Sequence, residues 1–85
     1  MRLSDMPNIG SELEKLLIEI GIRTPEDLEK TGSVETCRLL NLNGPTCYSK
    51  LYALEGAILG IRWHQLPKGH MNKLKEEMAK VLLIV

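Results

Sequence analysis

The residues with the types and spacing for chemistry start at Met6-Pro7-Asn8-Ile9-Gly10, a turn directly before an amphipathic run from Ser11 to Ile20. Such a turn points the first backbone N–H groups of a helix outward, where they can hold an anion such as a phosphate. Asn8, Ile9, Gly10 and Ser11 would supply those N–H groups, and Lys15 would add a positive charge. The same residues also suit a tight corner whose N–H groups meet water or a neighbouring carbonyl. Between Met1 and Ile20, Arg2 and Lys15 stand against Asp5, Glu12, Glu14 and Glu19. Duplex affinity rests on neutralised phosphates, so this local charge favours the corner.

The basic surplus lies elsewhere. From Ile61 to Val85, Arg62, Lys68, Lys73, Lys75 and Lys80 stand against Glu76 and Glu77, with His64 and His70 among them. This is either a cationic patch for nucleic acid or an acidic partner, or an ordinary solvated helix face. Tyr48, Tyr52 and Trp63 offer rings on which bases can stack, or they edge the core with polar tips outward. His64, His70, Cys37 and Cys47 match no zinc spacing, and both cysteines fall on apolar helix faces as small hydrophobes. No metal and no cofactor are expected. There is no nucleophile elbow, phosphate loop or functional carboxylate pair, so the reading is of a non-enzyme with no small-molecule substrate.

These residues must be positioned by helices. Eighty-five residues suit one domain, spanning 1–85, with a small core. Leu, Ile and Met must fill it, because there is no Phe. Eleven basic and eleven acidic residues cancel, which argues against a general nucleic-acid binder. No secretory segment begins at Met1 and no apolar run is long enough for a bilayer, so a cytoplasmic protein with free thiols and no membrane contact is expected.

Leu13, Leu16, Leu17 and Ile20 share one helix face, and Gly21 ends that helix. Thr24-Pro25-Glu26-Asp27 opens a second helix with Thr24 as N-cap, Pro25 at N1 and Asp27 in a near-capping-box position. Leu28 anchors it and Gly32 ends it. Ser33 caps a third helix that turns Cys37, Leu39 and Leu40 inward and stops between Asn41 and Gly44. Pro45 or Thr46 opens a fourth, with Cys47, Leu51, Leu54, Ala57, Ile58 and Ile61 as its apolar face. Small Gly56 and Ala57 predict close passage of another helix. Arg62 to Leu66 forms a short turn with Trp63 and Leu66 inward. A last helix runs from His70 to Val81 or beyond. The tail Leu82-Leu83-Ile84-Val85 is apolar on every side, which suits docking in the core or against a second copy of the chain, making a homodimer. There is no strand pattern. The fold class is therefore all-α, a compact bundle of five or six short helices. Leu3-x-x-Met6-Pro7 is echoed by Trp63-x-x-Leu66-Pro67 as two similar corners.

Leu3 to Leu28 is similar to a helix-hairpin-helix unit, through Pro7-Asn8-Ile9-Gly10 and Gly21-Ile22-Arg23-Thr24 with Leu28 following. The resemblance implies a helix-hairpin-helix-like first pair and contact with DNA backbone without sequence readout. Asn8 stands where that unit usually has Gly, and Asn tolerates left-handed backbone. Together with Cys47-Tyr48, Leu51-Tyr52-Ala53-Leu54-Glu55-Gly56-Ala57, Gly60-Ile61-Arg62-Trp63 and Leu66-Pro67, these motifs resemble the C-terminal domain of TfoX/Sxy competence regulators over nearly the whole chain. The resemblance implies a non-enzymatic regulatory or adaptor domain contacting DNA or a transcription-related protein. A protein–protein or self-association module without nucleic-acid binding is the alternative. Full-length relatives carry an N-terminal domain, and this chain is read as the stand-alone C-terminal one.

Overall fold

The computed structural model describes residues 1–42 and 48–83, with side chains up to Val81. Among the described residues it is all-α, without strands: α1 (Ser11–Glu19), α2 (Pro25–Thr31), α3 (Ser33–Leu42), α4 (Tyr48–Leu59) and α5 (Lys68–Leu83). Two single 3-10 turns, Leu3–Asp5 and Trp63–Gln65, precede α1 and α5. Cys47 and the predicted start at Pro45 or Thr46 lie outside the described residues.

The helix boundaries follow local chemistry. Gly21, at φ 91°, ends α1: its N–H meets Ile18 O at 3.0 Å, while Ile22 N–H meets Leu17 O at 2.9 Å. That pair of bonds is the Schellman arrangement, and Ile22 and Leu17 are both buried beside it. The arrangement recurs at the end of α4, where Gly60 N–H meets Ala57 O and Ile61 N–H meets Gly56 O. Thr24 and Asp27 form the full reciprocal box at the start of α2, with Asp27 N–H on Thr24 Oγ1 at 3.1 Å and Thr24 N–H on Asp27 Oδ2 at 3.3 Å. Arg23 N–H also reaches Asp27 Oδ2, and these bonds hold the carboxyl below its ordinary pKa, the Arg23 bond first.

Two expectations about helix starts change. Ser33 is the first helical residue of α3, not its cap: Gly32 O accepts Thr36 N–H, and the Ser33 hydroxyl is donated across to Glu55. Helix α5 begins at Lys68, two residues before His70, because Pro67 O accepts Met71 N–H and Pro67 thereby opens the helix. The element before the first corner is one 3-10 turn, and α1 packs on that turn and on α3, whereas α2 packs on α3 and α4.

Helix α4 is central, packing on α2, α3, α5 and the second 3-10 turn. Leu3, Leu17, Leu28, Leu51 and Leu54 are fully enclosed, with Met78 and Leu74 of α5 closing the side. No helix among the described residues is long and apolar enough to cross a membrane.

Candidate functional site

The two 3-10 corners that the sequence echoes have the same internal wiring. In the first, Arg2 N–H meets Asp5 Oδ2 at 2.9 Å and Met6 N–H meets Leu3 O at 3.0 Å. In the second, Arg62 N–H meets Gln65 Oε1 at 3.2 Å and Leu66 N–H meets Trp63 O at 3.1 Å. Each turn is thus capped by its own third side chain, and Pro7 or Pro67 follows.

Asn8 joins the two corners. Its φ of 70° is left-handed, a conformation Asn tolerates better than most residues. The amide Nδ2 donates to Ile61 O at 2.9 Å and Ala53 O at 3.3 Å, and Oδ1 accepts Trp63 N–H at 3.1 Å. The carbonyl of Ile61 is available for this because the Schellman turn ends α4 there. Gly56 lies beneath: a Cβ on it would stand 2.6 Å from Asn8 Nδ2, 2.8 Å from Ile61 O and 3.2 Å from Trp63 Cα. The small residue at 56 therefore admits an asparagine side chain and a chain reversal, not the crossing helix expected from the sequence.

The start of α1 is exposed at Gly10 and Ser11, and Gly10 at the N-cap supplies no side-chain bond to the first turn. Ile9 is buried, and its N–H points back to Met6 O at 3.4 Å. Glu14 turns away from this end. Its carboxylate accepts Ser4 N–H at 3.1 Å and pairs with the Arg2 guanidinium at 3.0 Å. The Ser4 bond, then the Arg2 charge, hold Glu14 below the ordinary carboxylate pKa against the opposing effect of burial. The pair removes one acid and one base from the local count, so the charge balance around the turn is unchanged.

Two grooves with two lining residues in common open beside this end. The smaller-walled one runs along Gly10, Ser11, Glu12, Leu13 and Leu16 of α1 to Lys50 of α4. Leu13 and Lys50 are shared with the next, a groove of about 510 Å3 whose other walls are Asn8, Ser49, Ala53, Arg62, Trp63 and His64. No carboxylate lines that second part among the described residues. Trp63 is 42% exposed, contrary to its expected inward direction, while Leu66 is buried as expected. The His64 ring stands edge-on to the indole, 5.9 Å away at 88°. Lys50 is the residue that sequence reasoning missed here. It lies far along the chain from the turn, and only the packed fold brings it alongside. Lys15 is exposed on α1 and lines neither groove.

The remaining basic residues are dispersed. Arg62 belongs to the groove just described. Lys75 sits 5.4 Å above the Tyr48 ring as a cation–π pair. Tyr52 is buried. Lys73 lines a different groove with Ser33, Glu35, Glu55, His70 and Glu77. There the Glu55 carboxylate bridges Ser33 Oγ at 2.8 Å and His70 Nε2 at 2.7 Å, tying α3 and α5 to α4. Glu35 is held by Arg38 at 2.8 and 2.6 Å, which lowers its pKa. Lys68 and Lys80 are exposed on α5. The interface candidates Leu82, Leu83, Ile84 and Val85 lie outside the described side chains. No group of three or more His, Cys, Asp or Glu side chains with metal-binding geometry occurs among the described residues, and Cys37 is buried.

Comparison with known proteins places this architecture. The family model for the TfoX C-terminal domain matches residues 1–78. Protein Sxy of Escherichia coli (strain K12) is 38% identical over 77 residues, covering 88% of this chain and 36% of Sxy. The chain thus spans about a third of the length of that curated relative. The crystal structure of an uncharacterized protein from Listeria monocytogenes, in a triclinic form, superposes with a TM-score of 0.89 at 44% identity, covering 95% of this chain and 93% of that one. A tetragonal crystal of a Listeria monocytogenes protein of unknown function gives 0.85 at 45% identity, covering 91% and 96%. The chain belongs to the TfoX C-terminal domain family.

Proposed function

We propose that this chain is a competence-regulator-like, non-enzymatic domain acting in the cytoplasm, and that the start of α1 contacts the phosphate backbone of DNA. The family membership and the Sxy relationship support the regulatory part. The observation that carries the DNA contact is the exposed, side-chain-uncapped start of α1 at Gly10 and Ser11 sharing a groove with Lys50. N–H groups at a helix start and a nearby cation are a phosphate-binding combination that reads no sequence. Asn8 contributes by fixing the corner, since its side chain is committed to Ala53, Ile61 and Trp63.

Titration of labelled duplex DNA at low and moderate salt tests this. Binding should appear at low salt, fall as salt rises, and weaken in Gly10→Asp. That variant is informative because a Cβ at Gly10 meets nothing within 4 Å, and Asp is a favoured N-cap. The fold should be kept while the charge repels phosphate. Absence of duplex binding at low salt would remove the proposal.

The rival reading is a protein–protein or self-association module without nucleic-acid binding, its self-association running through Leu82 to Val85. Sedimentation of the chain with and without those residues tests the self-association version, which a monomer in both cases would eliminate.

A further inference from the structure

We infer that the groove between Leu13, the start of α4 and the second 3-10 turn binds single-stranded nucleic acid, with an unpaired base stacked on Trp63 and phosphates against Lys50 and Arg62. This rests on the reading of the domain as one that contacts nucleic acid, but it gives the groove a different substrate from the start of α1.

The two corners supply the argument. Their wiring is shared, yet Leu3 at the first position of the first turn is wholly buried, whereas Trp63 at the same position of the second is 42% exposed. The second turn needs only the backbone of Trp63: its N–H meets Asn8 Oδ1, and its carbonyl accepts Leu66 N–H. The indole takes no part in the hydrogen bonds that close the turn. The preceding arginines differ in the same sense. The Arg2 guanidinium is bound to Glu14, while Arg62 has no ion pair among the described residues.

A partly exposed indole that shares a groove with two cations fits a ligand with both a flat apolar surface and negative charge. Nucleotides have both, and stacking on an aromatic side chain is available to every base. In a duplex the faces of the bases are already stacked on one another, so an unpaired strand uses this wall without the cost of unstacking. The approximately 510 Å3 of space is in the range that holds one small ligand unit. The absence of a lining carboxylate among the described residues leaves the cations available to phosphate.

Trp63 is the only tryptophan, so its emission reports this groove alone. The full chain is titrated at low salt with oligodeoxyuridylate and with oligouridylate of about ten nucleotides, following both emission and the anisotropy of a labelled strand. Saturable quenching that weakens with salt is expected, and the tighter of the two strands identifies the sugar preferred. Trp63→Ala should weaken binding about tenfold, with Trp63→Phe retaining most of it. Arg62→Gln and Lys50→Gln should each weaken binding and reduce the salt slope by about one. Circular dichroism of each variant should match the parent, since these side chains are not part of the core. No quenching and no anisotropy change with either strand, or undiminished binding by Trp63→Ala, overturns the inference. Duplex binding that is sensitive to Gly10→Asp, without single-strand binding, would overturn it while leaving the proposed function standing. Failure of both ligands overturns both.

Discussion

The first corner, Arg2 to Gly10, and the second, Arg62 to Lys68, are built to one local plan and put to opposite uses. Both are single 3-10 turns closed by their third side chain and followed by proline. In the first, the leading residue enters the core and the arginine is paired. In the second, the leading residue is partly exposed and the arginine is unpaired among the described residues. The difference shows that a capped turn fixes backbone direction only. What stands around the turn decides whether its side chains become core or surface.

Truncation at matching positions gives the largest contrast. Leu3→Ala should cost about 3 kcal/mol, as expected for a fully enclosed leucine, and Trp63→Ala, which is only partly buried, roughly half as much. Urea unfolding of the two variants measures this, and equal losses would erase the distinction between the corners. Next comes the link between them. Asn8→Ala removes three hydrogen bonds and places Ala in left-handed backbone, which should cost about 2–3 kcal/mol. Asn8→Gly keeps the backbone freedom and should lose about 1 kcal/mol less. If the two substitutions proved equally costly, strain would have no part in the loss.

Gly56→Ala probes the same link from below. Because the new methyl meets backbone at Ile61 O and not merely a flexible tip, about 2 kcal/mol of destabilisation is expected in the same unfolding measurement. An unchanged midpoint would show that the corners separate without cost. The smallest effect concerns Glu14 of the first corner. Its folded pKa is depressed, so its contribution is present above the unfolded value and is lost as pH falls through the folded one. Glu14→Gln should therefore flatten part of the acid limb of stability below the ordinary carboxylate range and leave the neutral-pH slope unchanged. Thermal melts across that range would show it, and an identical acid limb in the variant would deny Glu14 this role.

What could be read from the sequence was the chemistry that acts over a few residues. Thr24 and Asp27 lie three apart, so their capping box is visible in the order of residues, as are Gly21 and Ile22 at the end of α1. The leucine periodicity likewise gave an all-α core. The groove was less accessible because its members meet only after folding. Lys50 carries no signal beside Gly10 in the chain, and an indole near a helix end reads as core by composition. Asn8 was recognised as compatible with left-handed backbone, but nothing local indicated that its amide would reach Ala53 and Ile61. Gly56 was seen to need space around it; the identity of the neighbour required the tertiary structure. Ser33 looked like a cap because serine often is one, and Glu55 across the interface took its hydroxyl instead.

The Asn8 link also bears on how the chain reaches and leaves its folded state. It joins residues 53 and 55 positions apart, whereas the caps of the helices close over three to five. A long loop must be ordered before such bonds can form, so they belong to the late side of the folding barrier. Loss of the Asn8 side chain should then accelerate unfolding far more than it slows folding, steepening no early step. The N-terminal corner would act as the clasp that sets the lifetime of the native domain, fastened last and released first.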